Sequence, residues 1–142
     1  MAQQLNFQHF DLDDYHYQWD TEIPYTVSYT KEQKTERLIN DISQFPHFVM
    51  SGQMLSIPKT FNPLFDLAVF VTVPTEICVE RYRLRALKRW GNRALLGGDM
   101  YEFNLNSLIL AEQYDTGEPP SVCLKRDEQW LMELHCPVLY IG

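Results

Sequence analysis

Long hydrophobic runs are absent from the 142 residues. No stretch approaches the roughly 18 apolar residues of a membrane-spanning helix, and the polar start Met1-Ala-Gln-Gln-Leu-Asn6 lacks the apolar segment of a secretory signal. Both absences predict a cytoplasmic protein without a membrane partner. Basic excess is absent too: 12 Lys and Arg stand against 19 Asp and Glu, a net charge of −7. Nucleic-acid and membrane-surface binders need a basic face, so neither partner is expected. Cysteine is sparse, with Cys78, Cys123 and Cys136 far apart and in no Cys-x-x-Cys or Cys/His ligand spacing. An odd number of scattered thiols argues against a disulfide framework or a zinc site and suits a reducing compartment. Neither a His-Glu-x-x-His metalloprotease motif nor the Gly-x-Ser-x-Gly elbow of a serine hydrolase occurs.

What is present is the composition of an ordinary globular chain. Apolar residues make up 45% and charged ones 22%, and a chain of this length buries a core, so a single domain is expected. Residues 2–5 suit the last turn of a helix that Asn6 stops. Residues 7–11 read as a short strand ending in carboxylates. Residues 15–29 hold Pro24 and five Tyr or Trp residues with no helical period, which predicts a structured loop that faces a substrate or plugs the core. Thr30 with Gln33 three positions on matches a capping box. Leu38, Ile39, Ile42 and Phe45 follow at helical spacing and predict an amphipathic helix over 31–45. Residues 48–50 make a second strand, and 53–65, with Pro58 and Pro63, a loop.

The run at 66–73 is apolar on both faces and rich in β-branched residues, the pattern of a parallel strand covered by helices on both sides. Helices are predicted from Thr75 to about Trp90, from an Asp99–Glu102 start through Tyr114, and over 126–134, before a terminal strand at 137–141. The order β, α, β, β, α, α, α, β predicts an α/β fold with a mainly parallel sheet. The strands at 48–50 and 66–73 are joined without a helix, which is easiest to satisfy with another strand between them.

Two constellations could carry chemistry. Asp11, Asp13 and Asp14 put three carboxylates within four residues. Like charges so close resist joint ionisation, so such a cluster holds a divalent cation, takes a proton, or is simply covered by water. Arg81, Arg85 and Arg89 fall at i, i+4 and i+8, so a helix places them on one side. Five of the seven arginines lie within thirteen residues, 81–93. That stripe is either a solvated face or a guanidinium clamp on phosphate oxygens, which bidentate arginine geometry suits. Gly97 and Gly98 beyond it make a turn, or the hinge of a mobile lid over 81–98. His9 and His16 lack metallohydrolase spacing, and Ser51-Gly52 alone is no nucleophile elbow.

The segments 7–18, 24–26, 36–52, 65–91, 97–100, 114–115 and 136–142, in that order, resemble small P-loop kinase-like proteins. These are the nucleoside, nucleotide and shikimate kinase relatives of the adenylate-kinase-like and AAA-family ATPase group. The resemblance covers nearly all of the chain. It implies a three-layer, parallel-sheet P-loop NTPase-like fold, ATP and Mg²⁺ as cofactors, and a small-molecule phosphate acceptor. It implies further that Asp11 helps hold magnesium and that Asp13 or Asp14 receives the proton of the acceptor hydroxyl. Ser51 and Gly52 would lie beside the phosphates, Arg81, Arg85 and Arg89 would close over ATP, and Tyr15 and Tyr17 would shape the acceptor pocket.

The departure from that group lies at the phosphate loop. Its members open with a strand, a glycine-rich loop ending in Gly-Lys-Ser/Thr, and a helix. None of the six glycines here, Gly52, Gly91, Gly97, Gly98, Gly117 and Gly142, precedes Lys-Ser or Lys-Thr. The sequence starts where the first helix of the group would be ending. The expectation is therefore an N-terminally truncated domain without the first strand, phosphate loop and helix, and with impaired ATP turnover. The missing strand would be the central one, and the open position is an edge through which the chain could form a homo-oligomer. Two other readings stay open: a non-catalytic remnant or binding module, and a metal-dependent hydrolase built on the aspartates.

Overall fold

The computed structural model describes residues 1–22 and 27–142. The chain forms two compact units, Met1–Asn62 and Pro63–Gly142. In the first, helix α1 (Ala2–Leu5) ends at Asn6, whose φ of 53° is the left-handed stop expected there. Strand β1 (Gln8–Asp11), the single turn α2 (Asp13–His16), helix α3 (Lys31–Ile42) and strand β2 (Phe48–Ser51) follow. β1 and β2 pair in parallel, with Gln8 opposite Phe48 and Asp11 opposite Ser51. A parallel pair needs a crossover rather than a hairpin, and α3 supplies it. The core is aromatic: the buried ring of Phe10 meets Tyr15, Phe45 and Phe48 edge-on, at centroid distances of 6.3, 5.8 and 6.0 Å. Leu12 and Leu38 are fully buried beside it. Two 3₁₀ turns, Met54–Ser56 and Lys59–Leu64, occupy the expected loop.

The capping box at Thr30 and Gln33 forms as the sequence predicts, each residue bonding the other's backbone N–H. The rest of α3 differs from expectation. It stops at Ile42 rather than Phe45, and its inner face is not the apolar row Leu38, Ile39, Ile42, Phe45. Leu38 is buried, but Ile39 is 52% exposed, while Lys34 is only 8% exposed. Neighbouring positions on a helix are about 100° apart, and the covered face here is centred on the Lys34–Leu38 side, which leaves Ile39 at its outer edge. The single turn α2 packs against the Lys34–Leu38–Asp41 side and brings its own polar groups there. The loop expected over 15–29 also begins differently, because Tyr15 and His16 belong to α2. Tyr17 and Ser28 form an isolated antiparallel bridge. Pro24 and Tyr25, which that expectation included, lie outside the described residues.

The second unit contains strand β3 (Ala68–Val71), helix α4 (Thr75–Trp90), helix α5 (Tyr101–Glu112), helix α6 (Leu124–Glu133) and strand β4 (Val138–Ile141). β3 and β4 pair in parallel, with Ala68 opposite Val138. Trp90 packs edge-on against Phe103 at 5.6 Å, and Ala86, Ala94, Met100, Cys123 and Leu131 are buried. Tyr114 donates to the Asp127 carboxylate at 2.7 Å. β3 is parallel, as predicted, but not covered on both faces: Val71 is 62% exposed. A sheet of two strands is too narrow to be sandwiched by helices. The start predicted for α5 also differs. Asp99 is not a cap; both its oxygens accept from Arg93, at 2.8 Å each, and the helix begins after the buried Met100. Around that pair, Gly98 has no room for a side chain, since a Cβ would sit 2.2 Å from the Arg93 carbonyl oxygen.

The architecture is thus mixed α/β with two small parallel sheets, one in each unit. Among the described residues, no helix is long and apolar enough to cross a membrane.

Candidate functional site

The C-terminal end of β1 is where the chain gathers its reactive side chains. Asp11 closes the strand, and its Oδ1 accepts the Asp13 backbone N–H at 3.0 Å, which turns the chain into α2. That turn places Asp13 and Asp14 in the first turn of α2, both exposed. Leu12, between Asp11 and Asp13, is buried, and its N–H is held by the Ser51 carbonyl oxygen at 2.9 Å. The approach explains the glycine after Ser51. Gly52 has φ of +122°, and a Cβ there would stand 3.0 Å from the Leu12 Cβ. Ser51 itself turns its Oγ to His9 Nε2, at 2.8 Å across the parallel pair.

A pocket of about 320 Å³ runs along β1 from Gln8 to Asp11, with Asp14, Tyr15, Arg37, Asp41 and Phe45 also in its wall. Tyr15 is buried, and its hydroxyl donates to the Asp41 carboxylate. Burial first, then that hydrogen bond and the charge of Asp41, push the phenol well above its ordinary range. Tyr15 is therefore a fixed neutral donor whose hydroxyl is already committed.

Arg37, one helical turn before Asp41, lays its guanidinium over two rings, 4.2 Å from the Tyr29 centroid and 5.2 Å from that of Tyr15. Such contacts contribute about 0.5–2 kcal/mol each. Its Nη1 is enclosed by protein and has no hydrogen-bond partner. An enclosed donor left without a partner costs about 1–3 kcal/mol, and few native groups are left so.

Lys34 faces the same side of α3. Its Nζ donates to the Ser56 carbonyl oxygen and to His16 Nδ1, both at 3.0 Å. Burial, and then the charge of Lys31, lower the lysine from its ordinary range. Burial, and then the charge of Lys34, lower His16. A neutral imidazole accepting through Nδ1 fits both directions. The contact ties α3 to α2 and to the turn after β2, which fixes where Asp14 stands.

The structure thus brings Asp11, Asp14 and Tyr15 into one pocket, with Asp13 on the adjoining exposed turn and Ser51 and Gly52 at the end of the paired strand. Tyr17 does not line the pocket; its ring lies edge-on to His16 at 4.5 Å. Arg81, Arg85 and Arg89 lie on α4 in the second unit, all exposed, with Arg85 5.9 Å over the Tyr82 ring and Arg89 5.6 Å over that of Trp90. The residues that sequence reasoning passed over are Lys34, Arg37 and Asp41. Lys34, Arg37, Leu38 and Asp41 fall at i, i+3, i+4 and i+7, so the sequence places them on one face of a helix, but nothing in it says that this face is covered.

Among the described residues no three His, Cys, Asp or Glu side chains come together as a metal site. Magnesium is compatible with Asp11 only as a single carboxylate whose other ligands are phosphate and water, an arrangement that ion often adopts. No Gly-x-x-x-x-Gly-Lys-Ser/Thr phosphate loop occurs in the sequence, and no glycine lies in the wall of this pocket, so the wall has no such loop to cradle the phosphates of ATP.

Comparison with known proteins finds the uncharacterized protein YqaC of Bacillus subtilis (strain 168). It is 30% identical over 141 residues, a match that spans 99% of this chain and 77% of the relative. No protein-family profile and no solved structure matches the chain.

Proposed function

The chain belongs to the family of the Bacillus subtilis protein YqaC, and we propose that its first unit is the acceptor side of a P-loop kinase-like phosphoryl-transfer site. The observation that carries this reading is the pocket along β1, from Gln8 to Asp11, whose wall Asp11 and Asp14 share with Tyr15, Arg37 and Asp41. Asp11 closes β1 at its carboxyl end, the end at which open α/β sheets bind ligands.

In this reading Asp14, exposed at the mouth of the pocket, accepts the proton of the acceptor hydroxyl, and Asp13 on the same turn is the other candidate. Asp11 would be the carboxylate that holds magnesium. Lys34 and His16 set the position of α2. ATP with magnesium, when bound, supplies the phosphoryl group and the charge neutralisation its transfer needs. The exposed Arg81, Arg85 and Arg89 are candidates for donor phosphates.

The expected outcome is acceptor binding without efficient transfer. With labelled ATP and a panel of nucleosides, nucleotides and hydroxylated acids, turnover should fall far below the ~1–100 s⁻¹ of ordinary kinases. Binding of at least one acceptor should weaken when Asp14→Asn is introduced. Transfer at ordinary kinase rates would refute the missing donor side, and acceptor binding indifferent to Asp11 and Asp14 would refute the site.

A further inference from the structure

We propose that the pocket beside β1 takes a ligand bearing an anionic oxygen group, a phosphomonoester or a carboxylate, and that Arg37 selects it. The inference deepens the acceptor reading and rests on it for the role of the pocket, but it is carried by its own observations. The first is that Arg37 lies in the wall of the pocket, with one donor, Nη1, enclosed by protein and without a partner. The second is that the guanidinium is held by two rings, with its Cζ 4.2 Å from the Tyr29 centroid and 5.2 Å from that of Tyr15. The N–H groups other than the enclosed Nη1 are those a ligand can meet. A planar fork so oriented matches the two oxygens of a carboxylate or phosphate.

The third observation is the absence of the expected internal partner. An arginine and an aspartate four residues later lie on the same helix face, within reach of an ion pair. Here Asp41 instead accepts the Tyr15 hydroxyl, and Asp11 accepts the Asp13 N–H. Among the described residues no ion pair joins Arg37 to Asp11, Asp14 or Asp41. A free guanidinium is thus kept apart from the carboxylates that share its pocket. Repulsion by those carboxylates fixes the orientation of a ligand: its anionic group meets Arg37, and a hydroxyl meets Asp14.

The test uses matched pairs differing only in the anionic group, titrated calorimetrically into the 142-residue chain without ATP. The pairs are adenosine and adenosine 5′-monophosphate, thymidine and thymidine 5′-monophosphate, and shikimate and its methyl ester, with inorganic phosphate alone as a further probe. In at least one pair the anionic member should bind about tenfold tighter or more. Preference for the monophosphates assigns a phosphomonoester, and preference for shikimate a carboxylate. Arg37→Met should erase the preference, and Arg37→Lys, which keeps charge without the fork, should retain only part of it. Circular dichroism and urea unfolding of Arg37→Met establish that the fold is retained.

Equal binding of charged and neutral members, a preference that survives Arg37→Met, or no binding by any probe at millimolar concentration would each overturn the inference. The kinase reading fails separately. An Arg37-dependent anion preference that ignores Asp11 and Asp14 would leave this inference standing without it. Transfer to a neutral acceptor alone would leave that reading standing without this one.

Discussion

Helices α3 and α4 both carry cations along one side, but into opposite surroundings. On α4 the arginines Arg81, Arg85 and Arg89 stand exposed, their charge solvated or resting on a neighbouring ring. On α3, Lys34 is 8% exposed and Arg37 has an enclosed nitrogen, although the protein as a whole has a net charge of −7. A cation in water costs the fold almost nothing, so a solvated stripe can persist with no role. A cation withdrawn from water costs free energy unless something answers it. The fewer and less conspicuous charges of α3 are therefore the more informative ones, and density of arginine in the sequence was the weaker guide.

The sharpest way to break this comparison is through Tyr15. If its hydroxyl is what keeps Asp41 from Arg37, then Tyr15→Phe frees that carboxylate to compete for the guanidinium. Unfolding free energy should drop by about 1–3 kcal/mol, since a part-buried charged acceptor loses its partner. Affinity for the anionic probe should fall about tenfold with Arg37 untouched. The second unit supplies the control. Tyr114 donates to Asp127 with the same chemistry, and burial followed by that bond also pushes its phenol above the ordinary range. Tyr114→Phe should cost comparable stability by urea unfolding yet leave anion binding alone. Equal effects of the two substitutions on binding would remove Asp41 from the account.

The contrast also marks where the sequence could be read. Local rules succeeded at the Thr30–Gln33 box, the Asn6 stop and the apolar run of β3, because neighbouring residues alone decide those features. The cluster Asp11, Asp13, Asp14 was legible as a carboxylate-bearing strand end for the same reason. Arg37 and Lys34 were not, because their importance lies in burial by α2 and by the turn at Met54–Ser56, segments 18 to 22 residues away along the chain for Lys34. Asp99 failed as a cap because Arg93, six residues earlier, offered two charge-assisted hydrogen bonds against the one a cap provides. Ile39 failed as a core residue because apolar spacing does not reveal which side of a helix meets the partner.

A smaller effect should appear in the pH dependence of stability. His16 binds its proton at lower pH in the fold than in the unfolded chain, first through burial and then through Lys34. Between the folded value and the unfolded value near 6.5, unfolding takes up a proton, so stability falls as pH falls through that window. His16→Gln, which keeps an acceptor for Lys34, should flatten the slope of urea-unfolding free energy below about pH 6.5. Lys34 acts in the alkaline range with the same sign. Its lowered value means that the unfolded chain holds a proton the fold releases, so stability rises with pH up to about 10.5. A wild-type profile that does not change on either replacement would mean that the Lys34–His16 contact is formed without burial of its charge.

The smallest effect is expected on α4. Replacing Arg81, Arg85 and Arg89 by alanine, singly, should move unfolding free energy by no more than about 0.5 kcal/mol, as for most solvated positions. Alanine is at least as good a helix former as arginine, so the helix itself loses nothing. Affinity of the first-unit pocket for its anionic probe should stay within about twofold of the wild type, because none of the three arginines lines that pocket. The three variants separate the possible roles of the stripe when donor binding is measured beside acceptor binding. Loss of ATP affinity with acceptor affinity intact would make the stripe a donor-phosphate surface, and loss of neither would leave it a solvated face. A fall in acceptor affinity as large as that of Arg37→Met would erase the distinction between the two helices, because exposed and enclosed guanidinium groups would then be serving one ligand.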